Sequence, residues 1–220
     1  MDDISKMKLI IITTPENLPN ETVMINQMFE LGLERLHIRK PKAGIEDYRK
    51  YLDQINPIYH HLISVHAFPE LLKDFTTIGF HCTGKIINNS TKMDFVFSNN
   101  PKIISASFHS WEELKNNNYP FDYIFISPIF NSMSKPGYTG NIAINRIQSS
   151  RLAIKMEKKF CPKIIGLGGI SETNMHVLYN AGFEGVAIIG NIWLMPNAVT
   201  RFILLKNYLS NLNEGKGQNT

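Results

Sequence analysis

Residues Lys163-Ile164-Ile165-Gly166-Leu167-Gly168-Gly169-Ile170-Ser171 set the terms for the fold. The run is apolar without the in–out alternation of a half-exposed strand. It therefore reads as a strand covered on both faces, the mark of a parallel sheet. It ends in glycines, and a helix-like stretch, Glu172–Ala181, follows. Ser171 is the expected N-cap of that helix and Gly182 its stop.

The same unit recurs in both directions along the chain. Toward the C-terminus comes Gly185–Ile189. Toward the N-terminus come Asp122–Ile126, Ile103–Phe108, Thr77–His81, His61–His66, Arg35–Arg39 and Lys8–Thr13. Helix-like stretches lie between them: Glu21–Leu31, Asp47–Ile55, Trp111–Leu114, Ile142–Lys159 and the closing Asn197–Leu209. Glu70–Lys73 is short, and Asn88–Asn100 reads as irregular, with room for either a degenerate helix or an extra short strand, Phe95–Ser98 (FVFS). Eight strand runs alternating with helices predict a single (β/α)8 TIM barrel. A doubly wound open sheet is the alternative. The barrel is expected over residues 1–210, and the polar residues 211–220 are expected to fray.

Composition agrees with one barrel. The 220 residues are 43% hydrophobic, enough for a sizeable core and too apolar for global disorder. Two cysteines, Cys82 and Cys161, are too few for a disulfide framework, and the opening residues lack a signal-peptide layout. A cytoplasmic location is expected. No window approaches the apolar length of a spanning helix, so no membrane is expected. The net charge of +4 comes from dispersed lysines and arginines. That suits a phosphate-bearing small molecule better than nucleic acid, whose footprint is a dense basic stripe. Oligomeric state is left open, a homo-oligomer included.

In a parallel barrel, chemistry sits where strands end. After the sixth run stands Ser127-Pro128-Ile129-Phe130-Asn131-Ser132-Met133-Ser134-Lys135-Pro136-Gly137. The hydroxyls of Ser132 and Ser134 and the ammonium of Lys135 suit phosphate oxygens. Gly168-Gly169 after the seventh run and Ile189-Gly190 after the eighth stand where barrels commonly bind phosphate. His37 and Arg39 share a strand face, and Arg39 suits bidentate phosphate recognition unless it serves a surface ion pair. Ser107 and His109 end the fifth run, and Ser110 with Glu113 reads as a capping box. His66 ends the third run and His81 the fourth, whereas His60 and His176 are expected at the surface. A transition-metal site on His37, His66 and His81 has no carboxylate or cysteine at ligand spacing to support it, so no metal site is assigned.

Together these residues resemble the thiamine-phosphate synthase family, which includes the related thiazole tautomerases. The resemblance runs from Lys8 to Leu209. It is carried by Ile38-Arg39, Gly79-Phe80-His81, Ser107-Phe108-His109-Ser110 with Glu112-Glu113, Asp122 through Lys135, Gly168-Gly169-Ile170 and Gly182 through Ala187. It implies coupling of hydroxymethylpyrimidine pyrophosphate to thiazole phosphate with loss of pyrophosphate. Arg39 and Lys135 match pyrophosphate-contacting residues, and Ser107 matches a serine near the pyrimidine. Ser132 and Ser134 stand where the synthases have threonines beside the thiazole phosphate. Gly169, Ile189 and Gly190 match a backbone phosphate cradle.

The departures are specific. The family's two magnesium aspartates align with Ala67 and Ile86. Magnesium is then expected only through pyrophosphate, with no cofactor assigned on protein ligands. His37 replaces a glutamine and His66 an asparagine, so both are catalytic candidates. His37-Ile38-Arg39 resembles the tautomerase branch, which needs an acid–base group and no metal. Three readings follow: synthase, metal-independent tautomerase, and a non-catalytic binder of phosphorylated thiamine intermediates.

Overall fold

The computed structural model describes residues 6–131, 142–157 and 160–215. Its strands follow one another in chain order as a closed barrel, β1 to β8. They are β1 (Lys8–Ile12), β2 (Arg35–Ile38), β3 (Ile63–Val65), β4 (Gly79–Cys82), β5 (Ile104–Phe108), β6 (Tyr123–Ile126), β7 (Lys163–Leu167) and β8 (Gly185–Ile188). The strand–helix alternation of the sequence thus becomes a (β/α)8 barrel rather than an open sheet. The chain divides into two compact units, Ile10–Ser107 and Met1–Leu9 with Phe108–Thr220.

In the first unit, β1 through β5 pair in parallel with a fixed register: Ile12 faces His37, His37 faces Ser64, Val65 faces Phe80, and His81 faces Ser105. Side chains along these strands are buried almost without exception, as continuous apolar runs require. Helices α1 (Glu21–Glu30) and α2 (Ile45–Asp53) follow β1 and β2. Ile25, Met28 and Leu52, all fully buried, form their inner faces.

Two stretches differ from expectation. Residues Pro57–Leu62 wind into a 3-10 helix capped by the Asn56 side chain, which shortens β3 to Ile63–Val65. The segment read as irregular, with a degenerate helix or a short strand as its two options, holds a regular helix, α4 (Ser90–Ser98), and α3 (Gly84–Ile87) precedes it. Asn89 caps α4 through the Lys92 amide, and Met93 and Val96 are fully buried. Burying each such side chain contributes about 1.5–3 kcal/mol, which outweighs the strand propensity of the phenylalanines. His60, expected at the surface, is 7% exposed. Its Nε2–H donates to the carbonyls of Leu52 and Ile55, tying the 3-10 turn to α2.

In the second unit, β6, β7 and β8 pair in parallel, with Phe125 facing Ile165 and Gly166 facing Val186. Helices α5 (Trp111–Asn116), α6 (Ile147–Glu157), α7 (Met175–Ala181), α8 (Gly190–Trp193) and α9 (Ala198–Asn213) belong here. Ser110 caps α5 as expected, through the Glu113 amide. Glu113 reaches back one residue further than a capping box requires, to the His109 amide at 2.6 Å. The N-cap of α7 is Asn174 rather than Ser171, because residues 171–174 first make a turn closed by the Asn174 side chain on the Ser171 amide. Gly182 ends α7 with φ 87°, as expected. α9 continues to Asn213, so residues 211–213 are helical rather than frayed. Asn213 accepts from the Met7 amide and donates to the Met7 carbonyl. No helix among the described residues is long and apolar enough to cross a membrane.

Candidate functional site

The chemistry-bearing residues gather at the C-terminal ends of strands in each unit. In Ile10–Ser107 the register brings three histidines together. β2 places His37 inward, fully buried. Its partners in register are the small Ser64 and, in turn, Gly79. An added Cβ at Gly79 would meet Ser64 Oγ at 2.7 Å, so glycine is what fits beside that serine. One residue past β3, His66 stacks on His81 of β4 with ring centroids 4.0 Å apart. His37 Nδ1 and His66 Nε2 share a hydrogen bond of 2.8 Å. His81 is held at both nitrogens, by Ser105 Oγ at 2.9 Å and Ser107 Oγ at 2.8 Å.

Burial sets the charge of this cluster. Desolvation, then the charges of His81 and Arg35, hold His37 well below the usual imidazole range. His66 is depressed by burial first, then by His81, His37 and Arg39. Burial, with Arg39 second, pushes His81 down to about 3. All three rings are therefore neutral at neutral pH.

Arg39, half-buried just beyond β2, carries the positive charge felt by His66 and His81. Its backbone is clamped by Thr13, whose Oγ1 accepts from the Arg39 amide at 2.8 Å and donates to the Arg39 carbonyl at 3.3 Å. The next residue, Lys40, turns the other way. Its ammonium is buried against Glu21 and donates to the carbonyls of Thr14 and Glu16, while its amide donates to the Tyr48 hydroxyl. Neither Thr13 nor Lys40 was singled out by sequence reasoning. In Arg39-Lys40-Pro41-Lys42 a lysine looks like a solvent residue, and only α1 packing reveals Glu21 as its partner.

In the second unit, the loops after β6, β7 and β8 form a backbone-rich surface. The Ile129 amide donates to the Leu167 carbonyl and the Phe130 amide to the Gly168 carbonyl, so pairing continues past both strands. Gly168 and Gly169 have φ 105° and 64°. A Cβ on Gly169 would meet the Asn131 carbonyl oxygen at 2.2 Å. These glycines are needed both for the turn and for the close approach. Asn174 Nδ2 donates to the Gly169 carbonyl, and Asn191 Nδ2 to that of Ile170. Arg201 holds Asn191 by its carbonyl and side-chain oxygens and also pairs with Glu172. Ile189 and Gly190, both half-buried, lead into α8. Asn174, Asn191 and Arg201 were missed in the sequence because each acts through a backbone carbonyl rather than a ligand motif. Exposed His109 donates from Nδ1–H to the Ser127 carbonyl at 3.1 Å, which leaves Nε2 as its acceptor. Ser132, Ser134 and Lys135 lie outside the described residues.

The magnesium site expected of the resembled family does not fit these residues. Ile86, at one of its two positions, is an apolar side chain 7% exposed, and Ala67, at the other, offers no donor. Asp74 is drawn to Arg49, and Asp94 is exposed on α4. Among the described residues, the one group of candidate ligands brought together is the three histidines, a donor set that a hard oxygen-seeking cation disfavours.

Glycine-bearing loops after the last strands of a parallel (β/α)8 barrel are a common setting for phosphate binding. The family described as thiamine monophosphate synthase matches residues 9–192. The chain belongs to that family. It is similar to the thiamine phosphate pyrophosphorylase from Bacteroides thetaiotaomicron, with 28% identity over 94% of this chain and 98% of that one, and a TM-score of 0.65. The thiamine phosphate pyrophosphorylase from Pyrococcus furiosus shares the fold, with a TM-score of 0.72, 20% identity and coverage of 95% and 98%. The thiamine-phosphate synthase of Limosilactobacillus reuteri is 28% identical over 142 residues, 63% of this chain. That match spans 61% of the Limosilactobacillus protein's own length.

Proposed function

We propose that the protein is a thiamine-phosphate synthase, joining hydroxymethylpyrimidine pyrophosphate to thiazole phosphate and releasing pyrophosphate. The observation that carries this reading is the family match over residues 9–192. In the reaction the carbon–oxygen bond to pyrophosphate breaks, its electrons leave with the pyrophosphate, and the thiazole nitrogen bonds to the pyrimidine methylene. Negative charge therefore concentrates on the leaving group, where a preorganised cation lowers the barrier. Arg39 is assigned that role because Thr13 fixes its backbone before substrate arrives. Lys135 is assigned the same role from its sequence motif.

Ser107 is assigned to the pyrimidine pyrophosphate and, through His81, keeps the imidazole cluster oriented. Gly169, Ile189 and Gly190 are assigned to the thiazole phosphate through backbone amides, as loops after the last strands of such barrels do. Ser132 and Ser134 would add hydroxyls, and His109 would offer Nε2. His66 is the member of the cluster assigned to substrate, with His37 orienting it through their shared hydrogen bond. Its complete burial and neutrality make His37 a poor proton donor, which favours the synthase over the tautomerase reading.

The test is a coupling assay on the purified protein. Pyrophosphate should appear only when both substrates are present, and Arg39→Ala should lower kcat/KM by about 10²–10³-fold. Aromatisation of the thiazole carboxylate phosphate without coupling would replace this reading with the tautomerase. Thiazole phosphate raising Tm with neither reaction would replace it with a binding protein.

A further inference from the structure

The family's magnesium carboxylates are missing, and three imidazoles from β2, β4 and the end of β3 converge. We propose that His37, His66 and His81 form a site for one divalent transition metal of the zinc class, with a fourth position open to an anionic oxygen. Each ring offers one nitrogen, and the three nitrogens lie within 4.8 Å of one another. Zinc–imidazole bonds of roughly 2.0–2.1 Å in a tetrahedron place ligand nitrogens about 3.3 Å apart. The His37–His66 nitrogens, 2.8 Å apart, share a hydrogen bond that the ion would replace.

The chemistry of the cluster agrees with its spacing. Three neutral nitrogen donors with no carboxylate select a borderline cation over magnesium. The two serines on His81 supply an outer shell: ligation replaces one of them and keeps the other on the opposite ring nitrogen. Arg39 opposes a bare cation near His66 and His81. An anion in the fourth position offsets that repulsion, so metal and a phosphate-type ligand should bind cooperatively. The site stands on the histidine geometry alone and does not depend on the synthase reading.

The experiment is a titration of the chelator-stripped 220-residue protein with Co²⁺, read by its visible d–d absorption. One equivalent should bind with a tetrahedral spectrum that excess Mg²⁺ does not displace. Inorganic pyrophosphate should change the spectrum and tighten binding. His37→Asn and His66→Asn should each weaken Co²⁺ by more than about 100-fold, beyond the loss typical of an outer-shell partner. His176→Asn should leave binding unchanged. No binding, or equal binding in histidine variants that melt like the parent, would overturn the site. A spectrum indifferent to pyrophosphate would overturn the open fourth position. Should the variants not fold, imidazole ¹⁵N shifts of the parent decide: Zn²⁺ must move all three histidines. Because no substrate is used, failure here is separate from failure of the coupling assay.

Discussion

Lys40 Nζ lies 2.5 Å from Glu21 Oε2, with side chains only 4% and 3% exposed. This pair links the start of α1 to the residue after Arg39. A buried ion pair is weak evidence of net stabilisation, but losing one partner leaves the other charge unmatched. Glu21 also lies beside Tyr51, whose hydroxyl is pushed far up by burial first and then by that carboxylate.

Lys40→Met is therefore expected to destabilise the protein by about 3–5 kcal/mol. Lys40→Met with Glu21→Leu should recover much of that loss, because no unmatched charge remains. Chemical denaturation of the two variants and the parent measures both differences. Equal losses in the single and double variants would show that packing, not charge, holds this corner.

Gly169 and Gly182 both have positive φ, yet their surroundings differ. A Cβ at Gly169 collides with the Asn131 carbonyl, whereas one at Gly182 meets nothing within 4 Å. Gly182→Ala should cost only the left-handed backbone penalty of about 1–2 kcal/mol and leave substrate kinetics alone. Gly169→Ala should raise KM for thiazole phosphate by at least about tenfold, since its loop must shift. Steady-state kinetics on both variants separates strain from obstruction.

Arg201 and Glu172 supply a pH test. The Arg201 hydrogen bond, against an opposing contribution from burial, holds the Glu172 carboxyl below its ordinary value of 4.5. The folded state thus binds this proton less readily than the unfolded chain. The stability the pair contributes is present above pH 4.5 and is lost as pH falls through the lowered value. Arg201→Met should lower Tm at neutral pH, with the gap from the parent narrowing on the acid side. A gap of constant size would mean that the Asn191 bonds alone matter.

Much of this architecture was legible in the sequence. The strands were readable because both faces are covered, so apolar residues run on without interruption, and Ser110 advertised its helix by capping chemistry. Other parts were not. Phe95-Val96-Phe97-Ser98 has strand propensity, and only the burial of Met93 and Val96 on one side makes it helical. Ser171 looked like a cap because serine favours that role, but Asn174 closes its own turn first. The meeting of His37, His66 and His81 depends on the register of β2, β3 and β4, which no local pattern specifies. Lys40 was illegible for the same reason, since its partner stands 19 residues away.

The ladder that continues past β6 and β7 through Ile129 and Phe130 has a thermodynamic consequence. Folding has already spent the conformational entropy of Pro128–Asn131 and Leu167–Gly169, so an anion meeting the Gly169 backbone there need not order it. Binding at that turn should therefore lose less affinity to ordering than binding to a mobile loop would.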